Sequence, residues 1–172
     1  MIPSDHFVMF YNEVFKFLSR HGGKEAMIRY YARVSSNQET HCLESFKTRG
    51  LQGMFDYWER IRVEENCDMI NRIDDDCYSF RFIGCPSLGK VLDNDAAPCA
   101  DYCRHCPGWI MPIMTKAGFF AVYNLIDCAK PQCEMFVFRE VGKAQAKAKD
   151  LRKKHGEDVI VTNFPMEKIH VR

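Results

Sequence analysis

The apolar residues of this chain change their spacing near residue 66, and that change limits the folds open to it. Before it, Phe7, Phe10, Tyr11, Val14, Phe15 and Leu18 recur at the i, i+3, i+4, i+7 spacing of an amphipathic helix, which Ser4 can cap and Gly22-Gly23 ends. Met27, Tyr30, Tyr31 and Val34 predict a second helix over about 24–47. Leu51, Met54, Phe55, Trp58 and Ile61 predict a third, ending near Glu64-Glu65-Asn66. After it, Tyr78, Phe80 and Phe82 alternate with Ser79 and Arg81, the period-2 pattern of a half-buried strand. Residues 67–73 supply a partner strand, with Asp74-Asp75-Asp76 as the turn between them.

A short helix over 87–92 and a loop to Pro98 come next. A further helix starts between Pro107 and Ile110 and ends at Gly118. Two strand-like segments, 119–127 and 132–139, are joined by Cys128-Ala129-Lys130-Pro131. The expectation is one α+β domain over residues 1–172. It has a helical part (1–66), a cysteine-rich part (67–140) forming a four-stranded ββαββ antiparallel sheet, and a tail (141–172). The tail holds an Ala/Lys-rich helix over 142–155 and a short strand over 158–162 that can add to the sheet edge.

Charge and cysteine usage narrow the function classes. With 24 Lys and Arg against 23 Asp and Glu the formal net charge is +1, which removes the electrostatic footprint of a general nucleic-acid binder. No apolar run approaches the ~18 residues needed to span a bilayer. The first residues lack the basic and apolar regions of a signal peptide. Nine cysteines in such a chain read as reduced thiols of a cytoplasmic protein, and an odd count suits a closed disulfide framework poorly. Cys42, Cys67 and Cys77, isolated in sequence, read as small buried apolar residues.

The remaining thiols carry the chemistry. Cys99, Cys103 and Cys106 have the spacing C-x3-C-x2-C, and three thiolates so close can converge on one ion, with Cys85, Cys133 or His105 as a fourth ligand. Zinc or an iron–sulfur cluster takes such a set. The second reading makes Cys106 a nucleophile. It stands just before Pro107 at an expected helix start, beside Arg104 and His105, and these influences lower a thiol pKa. His105 is then the base or proton shuttle and Asp101 the group that orients it.

The order of elements from Phe80 to Phe138 includes an aromatic-rich strand, Cys85, a short helix and Cys106-Pro107. It continues with an apolar helix, Gly118-Phe119 and Cys133-Glu134-Met135-Phe136-Val137-Phe138. This succession resembles the L-2-amino-thiazoline-4-carboxylic acid hydrolase family. The resemblance implies shared positions at Cys85, Cys106 and Cys133, with Glu134 at an acidic position. It also implies hydrolysis of a non-peptide C–N bond in a small cyclic amidine- or thiazoline-like compound. One departure is that the family pattern places an aspartate shortly after the Cys-Pro pair, where Gly108-Trp109-Ile110 stand here. The strand order also resembles the small-molecule-binding fold of haem–nitric-oxide sensors and vesicle-tethering subunits, an analogy of fold alone. Three functions therefore follow as expectations: a cysteine hydrolase using Cys106, His105, Cys85 and Cys133; a zinc or iron–sulfur protein using Cys99, Cys103, Cys106 and Cys85; and a non-enzymatic small-molecule sensor. Each has a small-molecule substrate or ligand and neither a nucleic-acid nor a membrane partner.

Overall fold

The computed structural model describes residues 3–127 and 129–166, without the side chains of Pro3 and Ser4. The cap expected of Ser4 and the loop position of Cys128 lie outside what is described. Helix α1 (Pro3–Arg49) is broken at Gly23, whose φ of 59° and ψ of −160° are open to glycine and costly for any residue with a β-carbon. Its second arm folds back on its first. Phe15 meets Tyr30 and Tyr31 at ring-centroid distances of 6.1 and 5.8 Å, whereas residues 16 apart on one straight helix stand about 24 Å apart. The two helices expected on either side of Gly22-Gly23 are these arms.

Helix α2 (Leu51–Glu64) follows, then the antiparallel pair β1 (Asp68–Ile73) and β2 (Cys77–Gly84), and α3 (Pro86–Asp93). A 3₁₀ turn (Tyr102–Arg104) runs directly into α4 (His105–Ala117). The antiparallel pair β3 (Phe120–Asp127) and β4 (Gln132–Phe138), α5 (Val141–His155) and β5 (Ile160–Thr162) complete the order. The sheet has five strands in the order β1-β2-β4-β3-β5, every pairing antiparallel. That corrects the expected four, because β5 does add to the edge beside β3. The architecture is α+β, as the change of period predicts.

Both faces of the sheet are covered, which explains why β3 is apolar at almost every position. Ala121, Tyr123, Leu125, Cys133, Met135 and Val137 face a core shared with α2, α4 and the second arm of α1. Val122 and Phe138 face Ala144, Ala148 and Leu151 of α5. A separate core joins Val8 and Phe15 of the first arm to Leu88 and Val91 of α3 and to Tyr102. The candidate site lies where this core meets the sheet. Among the described residues no helix is long and apolar enough to cross a membrane.

Candidate active site

A small, mostly apolar cavity of about 20 Å³ lies between α3, the start of α4 and the ends of β3 and β4. Cys85, Cys103, Cys106 and Cys133 line it together with His105, Tyr102 and Tyr123. Thus all four residues expected to be catalytic meet at one place, although they come from three separate segments.

Each is positioned by an ordinary local cause. Cys85 is the single extended residue between β2 and α3 and precedes Pro86, the first residue of α3; its own N–H donates to the Pro131 carbonyl. Cys133 stands on β4 opposite Phe82 and shares its face with Met135 and Val137. The 3₁₀ turn delivers His105 and Cys106 as the first two residues of α4, so their side chains point back over the turn that precedes them.

The histidine is defined by its partners. Its Nδ1 faces the carbonyl of Tyr102 and its Nε2 lies 3.2 Å from Cys106 Sγ. A carbonyl only accepts, so Nδ1 carries the proton and donates it. In the neutral ring Nε2 is then a bare lone pair, and the Cys106 S–H donates to it. His105 is buried among Phe15, Tyr102 and Trp109, with centroids 5.4, 4.9 and 4.6 Å away. That burial pushes its pKa down to about 4, against a smaller upward pull from the Tyr102 carbonyl. At neutral pH the pair is a thiol and an uncharged imidazole.

The thiol side agrees. Burial raises Cys106 well above the ordinary thiol range, and the neighbouring Cys85 and Cys133 add to the rise, while a hydrogen bond from Tyr123 opposes it. Cys85 is also raised by burial, with the Leu88 and Ser87 amides pulling the other way. The Tyr123 hydroxyl lies 3.3 Å from Cys133 Sγ, so one phenol serves two sulfurs.

Several expectations are corrected here. Cys106 is not activated by Arg104 or by the helix start: Arg104 turns outward to Asp101, 3.2 Å away, and to the Asp158 carbonyl, 3.0 Å away. Asp101 therefore does not orient His105; the Tyr102 carbonyl does. Glu134 lies on the face of β4 opposite Cys133 and accepts a hydrogen bond from Asn124 at 2.8 Å. Cys99 is not on the cavity. Asn12, fully buried, donates to the Ala97 carbonyl and accepts from the Cys99 N–H, at 3.0 and 2.8 Å. This clamp draws the loop onto α1 and packs Cys99 with the Leu88 and Val91 core. The ligand set Cys99, Cys103, Cys106 and Cys85 is not assembled, and among the described residues no group of three or more His, Cys, Asp or Glu is arranged to hold a metal ion. None of the eight described cysteines is in a disulfide.

The first residue of the departure after Cys106-Pro107, Gly108, has a structural cause. A β-carbon on Gly108 would come within 2.5 Å of Cδ2 of Tyr31, so no side chain fits where the second arm of α1 crosses α4. Tyr102, Tyr123 and Asn12 carry no sequence signal for the site: β3 is apolar and buried at almost every position, so no alternation marks Tyr123 as inward-facing. Nothing local to Asn12 announces a partner more than 80 residues away. Beside its expected neighbours in β3, Ile126 has a φ of 52°, rare for a β-branched residue. It sits at the bulge where the β3–β4 register shifts, held by a bond from its N–H to Asn124 Oδ1 at 3.0 Å, and Leu125 beside it lines the cavity. Comparison of the chain with protein-family models, curated proteins and solved structures finds no match.

Proposed function

We propose that the chain is a cysteine hydrolase acting on a non-peptide C–N bond of a small cyclic amidine- or thiazoline-like compound. The observation that carries this reading is the Cys106–His105 pair, in which the bare Nε2 meets the thiol while Nδ1 is held by the Tyr102 carbonyl. The chemistry follows from those atoms. As Cys106 Sγ bonds to the sp² ring carbon, its proton passes to Nε2. The imidazolium then gives that proton to the departing ring nitrogen, and the C–N bond breaks. Water attacks the sulfur-bound carbon, losing a proton to Nε2, and the C–S bond breaks to restore the thiol. The Tyr123 hydroxyl, which opposes the rise of the Cys106 thiol, is a donor available to the charge that develops.

The cavity of about 20 Å³ has room for one water-sized molecule. A ring substrate therefore enters only as the lining moves; on one wall α3 is tied to the 3₁₀ turn by the 2.7 Å hydrogen bond between Ser87 and Tyr102. Reduced thiols suit a cytoplasmic setting.

The test is a covalent trap. The protein is incubated with 2-amino-thiazoline-4-carboxylate and with small cyclic amidines, quenched in acid and digested. Mass spectrometry showing an adduct on Cys106 that fails to form in His105→Gln supports the reading. Turnover unaffected by Cys106→Ala would end it.

A zinc or iron–sulfur function keeps one observation in its favour: four sulfurs, those of Cys85, Cys103, Cys106 and Cys133, line the same cavity. It requires them to draw together. Elemental analysis of anaerobically purified protein decides it, with stoichiometric metal expected on this alternative.

A further inference from the structure

A cleft of about 420 Å³ opens where the second arm of α1 leaves the break at Gly23 and passes the 3₁₀ turn. Lys24, Met27, Ile28, Tyr31, Asp101 and Arg104 line it. Its volume is that of pockets which hold small molecules, about 300–1,000 Å³. The cavity of about 20 Å³ beside Cys106 has none of these residues in its wall, so the cleft is a separate place.

The wall divides by chemistry. Met27 and Tyr31 are buried and Ile28 is 55% exposed, which gives the cleft an apolar side. Its charged groups are Lys24, Asp101 and Arg104. Asp101 and Arg104 pair at 3.2 Å, and Arg104 Nη2 donates to the Asp158 carbonyl at 3.0 Å, so the guanidinium is held in place. Glu25, next to Lys24 in sequence, pairs with Arg29 instead, at 3.7 Å. Lys24 has no ion pair among the described residues, and the cleft therefore carries one uncompensated positive charge.

One polar group is left over. Tyr31 is 7% exposed, and its hydroxyl is buried with no hydrogen-bond partner among the described residues. Such hydroxyls are uncommon and costly. Burial raises the Tyr31 pKa, Cys99, Asp101 and Cys106 add to the rise, and Arg104 opposes it. At neutral pH the phenol is thus a protonated donor near the Asp101–Arg104 pair. An apolar side, a free cation, a fixed guanidinium and an unused O–H suit a monoanion with an apolar body, because a carboxylate takes charge-assisted bonds from such donors.

We infer that this cleft binds a small monocarboxylate with an apolar body. Lys24, Arg104 and the Tyr31 hydroxyl hold the carboxylate, and the body lies on Met27, Ile28 and the Tyr31 ring. Cys106 takes no part, so binding here stands whether or not that thiol is catalytic.

Isothermal titration of the full chain with benzoate tests it, with benzamide as the neutral match and inorganic phosphate as an anion without an apolar body. Benzoate should bind saturably at ~1 mM or tighter, about tenfold better than either control. Lys24→Glu, a change at an exposed side chain, should weaken benzoate about tenfold with circular dichroism and melting unchanged. Tyr31→Phe should weaken it about threefold without lowering the melting temperature, since its hydroxyl has no partner to lose. Cys106→Ala should bind as the wild type does. In nitrogen-15 NMR the shifted amides should gather at residues 24–31 and 101–104. No saturation by ~10 mM, a control that binds as tightly as benzoate, or full affinity in Lys24→Glu or Tyr31→Phe overturns the inference. So do shifts centred on Cys85, Cys106 and Cys133, or affinity lost in Cys106→Ala, which would assign benzoate to the catalytic cavity.

Discussion

Tyr123 on β3 and Cys133 on β4 approach to 3.3 Å between hydroxyl and sulfur, and the same hydroxyl hydrogen-bonds Cys106 from across the cavity. One phenol thereby couples a strand thiol to a helix thiol. Tyr123→Phe keeps the ring and deletes the donor, so the Cys106 thiol should rise further and ionise less at any given pH. Alkylation of Cys106 by iodoacetamide at pH 9 should slow by about threefold, the effect of half a pKa unit. The folded state should lose about 1 kcal/mol. A rate equal to that of the wild type would show that the phenol does not hold this sulfur.

Gly108 is required by Tyr31 rather than by the backbone, since the first atom of any side chain would meet the tyrosine ring at 2.5 Å. Gly108→Ala should therefore destabilise by about 1–3 kcal/mol through overpacking. In a chemical denaturation series, Gly108→Ala should be less costly in a Tyr31→Ala background than in the wild type, the sign of two residues in contact. Strict additivity would show that the two do not touch.

Asn12 makes two buried hydrogen bonds to the loop that carries Cys99. Asn12→Ala leaves the Ala97 carbonyl and the Cys99 N–H without those partners, at a cost of about 2–4 kcal/mol. Hydrogen exchange should rise at residues 96–99 and leave α5 unchanged. Uniform loss of protection along the whole chain would indicate a general rather than a local role for this residue.

Which parts of the fold were legible follows from the range of the interactions involved. The stop at Gly22-Gly23, the third helix from Leu51 and the strand of Tyr78, Phe80 and Phe82 depend on spacing within a dozen residues, and all are where the periodicity predicts. The break at Gly23 could be read, but the sequence did not say that the second arm returns along the first. That rests on Phe15 meeting Tyr30 and Tyr31. Cys85, Cys106 and Cys133 are positions the family resemblance implies, but which thiols meet in space is not legible in the sequence, because the strand, loop and helix that bring them with Cys103 to one cavity are set by tertiary packing. Their electrostatics are not legible either, because local charge at Arg104 suggested an activated thiolate while burial, a tertiary property, decides the opposite. Cys99 was misassigned for a similar reason: its neighbours in sequence are thiols, whereas its partner in space is Asn12.

Burial of His105 has a consequence for stability in acid. An unfolded histidine takes up its proton near pH 6.5, whereas the folded ring waits until about 4. Between those values the unfolded chain binds more protons, so stability falls as pH falls through that window and the loss levels off below it. The contribution is about 3 kcal/mol in all. In urea unfolding at pH 7 and pH 4, the difference between wild type and His105→Gln should change by about that amount. A difference independent of pH would mean that the imidazole titrates as it does in water.

The central claim is that His105 stands neutral, with its proton on Nδ1 and its Nε2 open to the Cys106 thiol. Nitrogen-15 NMR of the histidine ring across pH 4–8 reads this directly. The account predicts the Nδ1–H tautomer at pH 7, with Nε2 unprotonated and no titration until about pH 4. A ring protonated on Nε2, or one that titrates near its ordinary value, would contradict it.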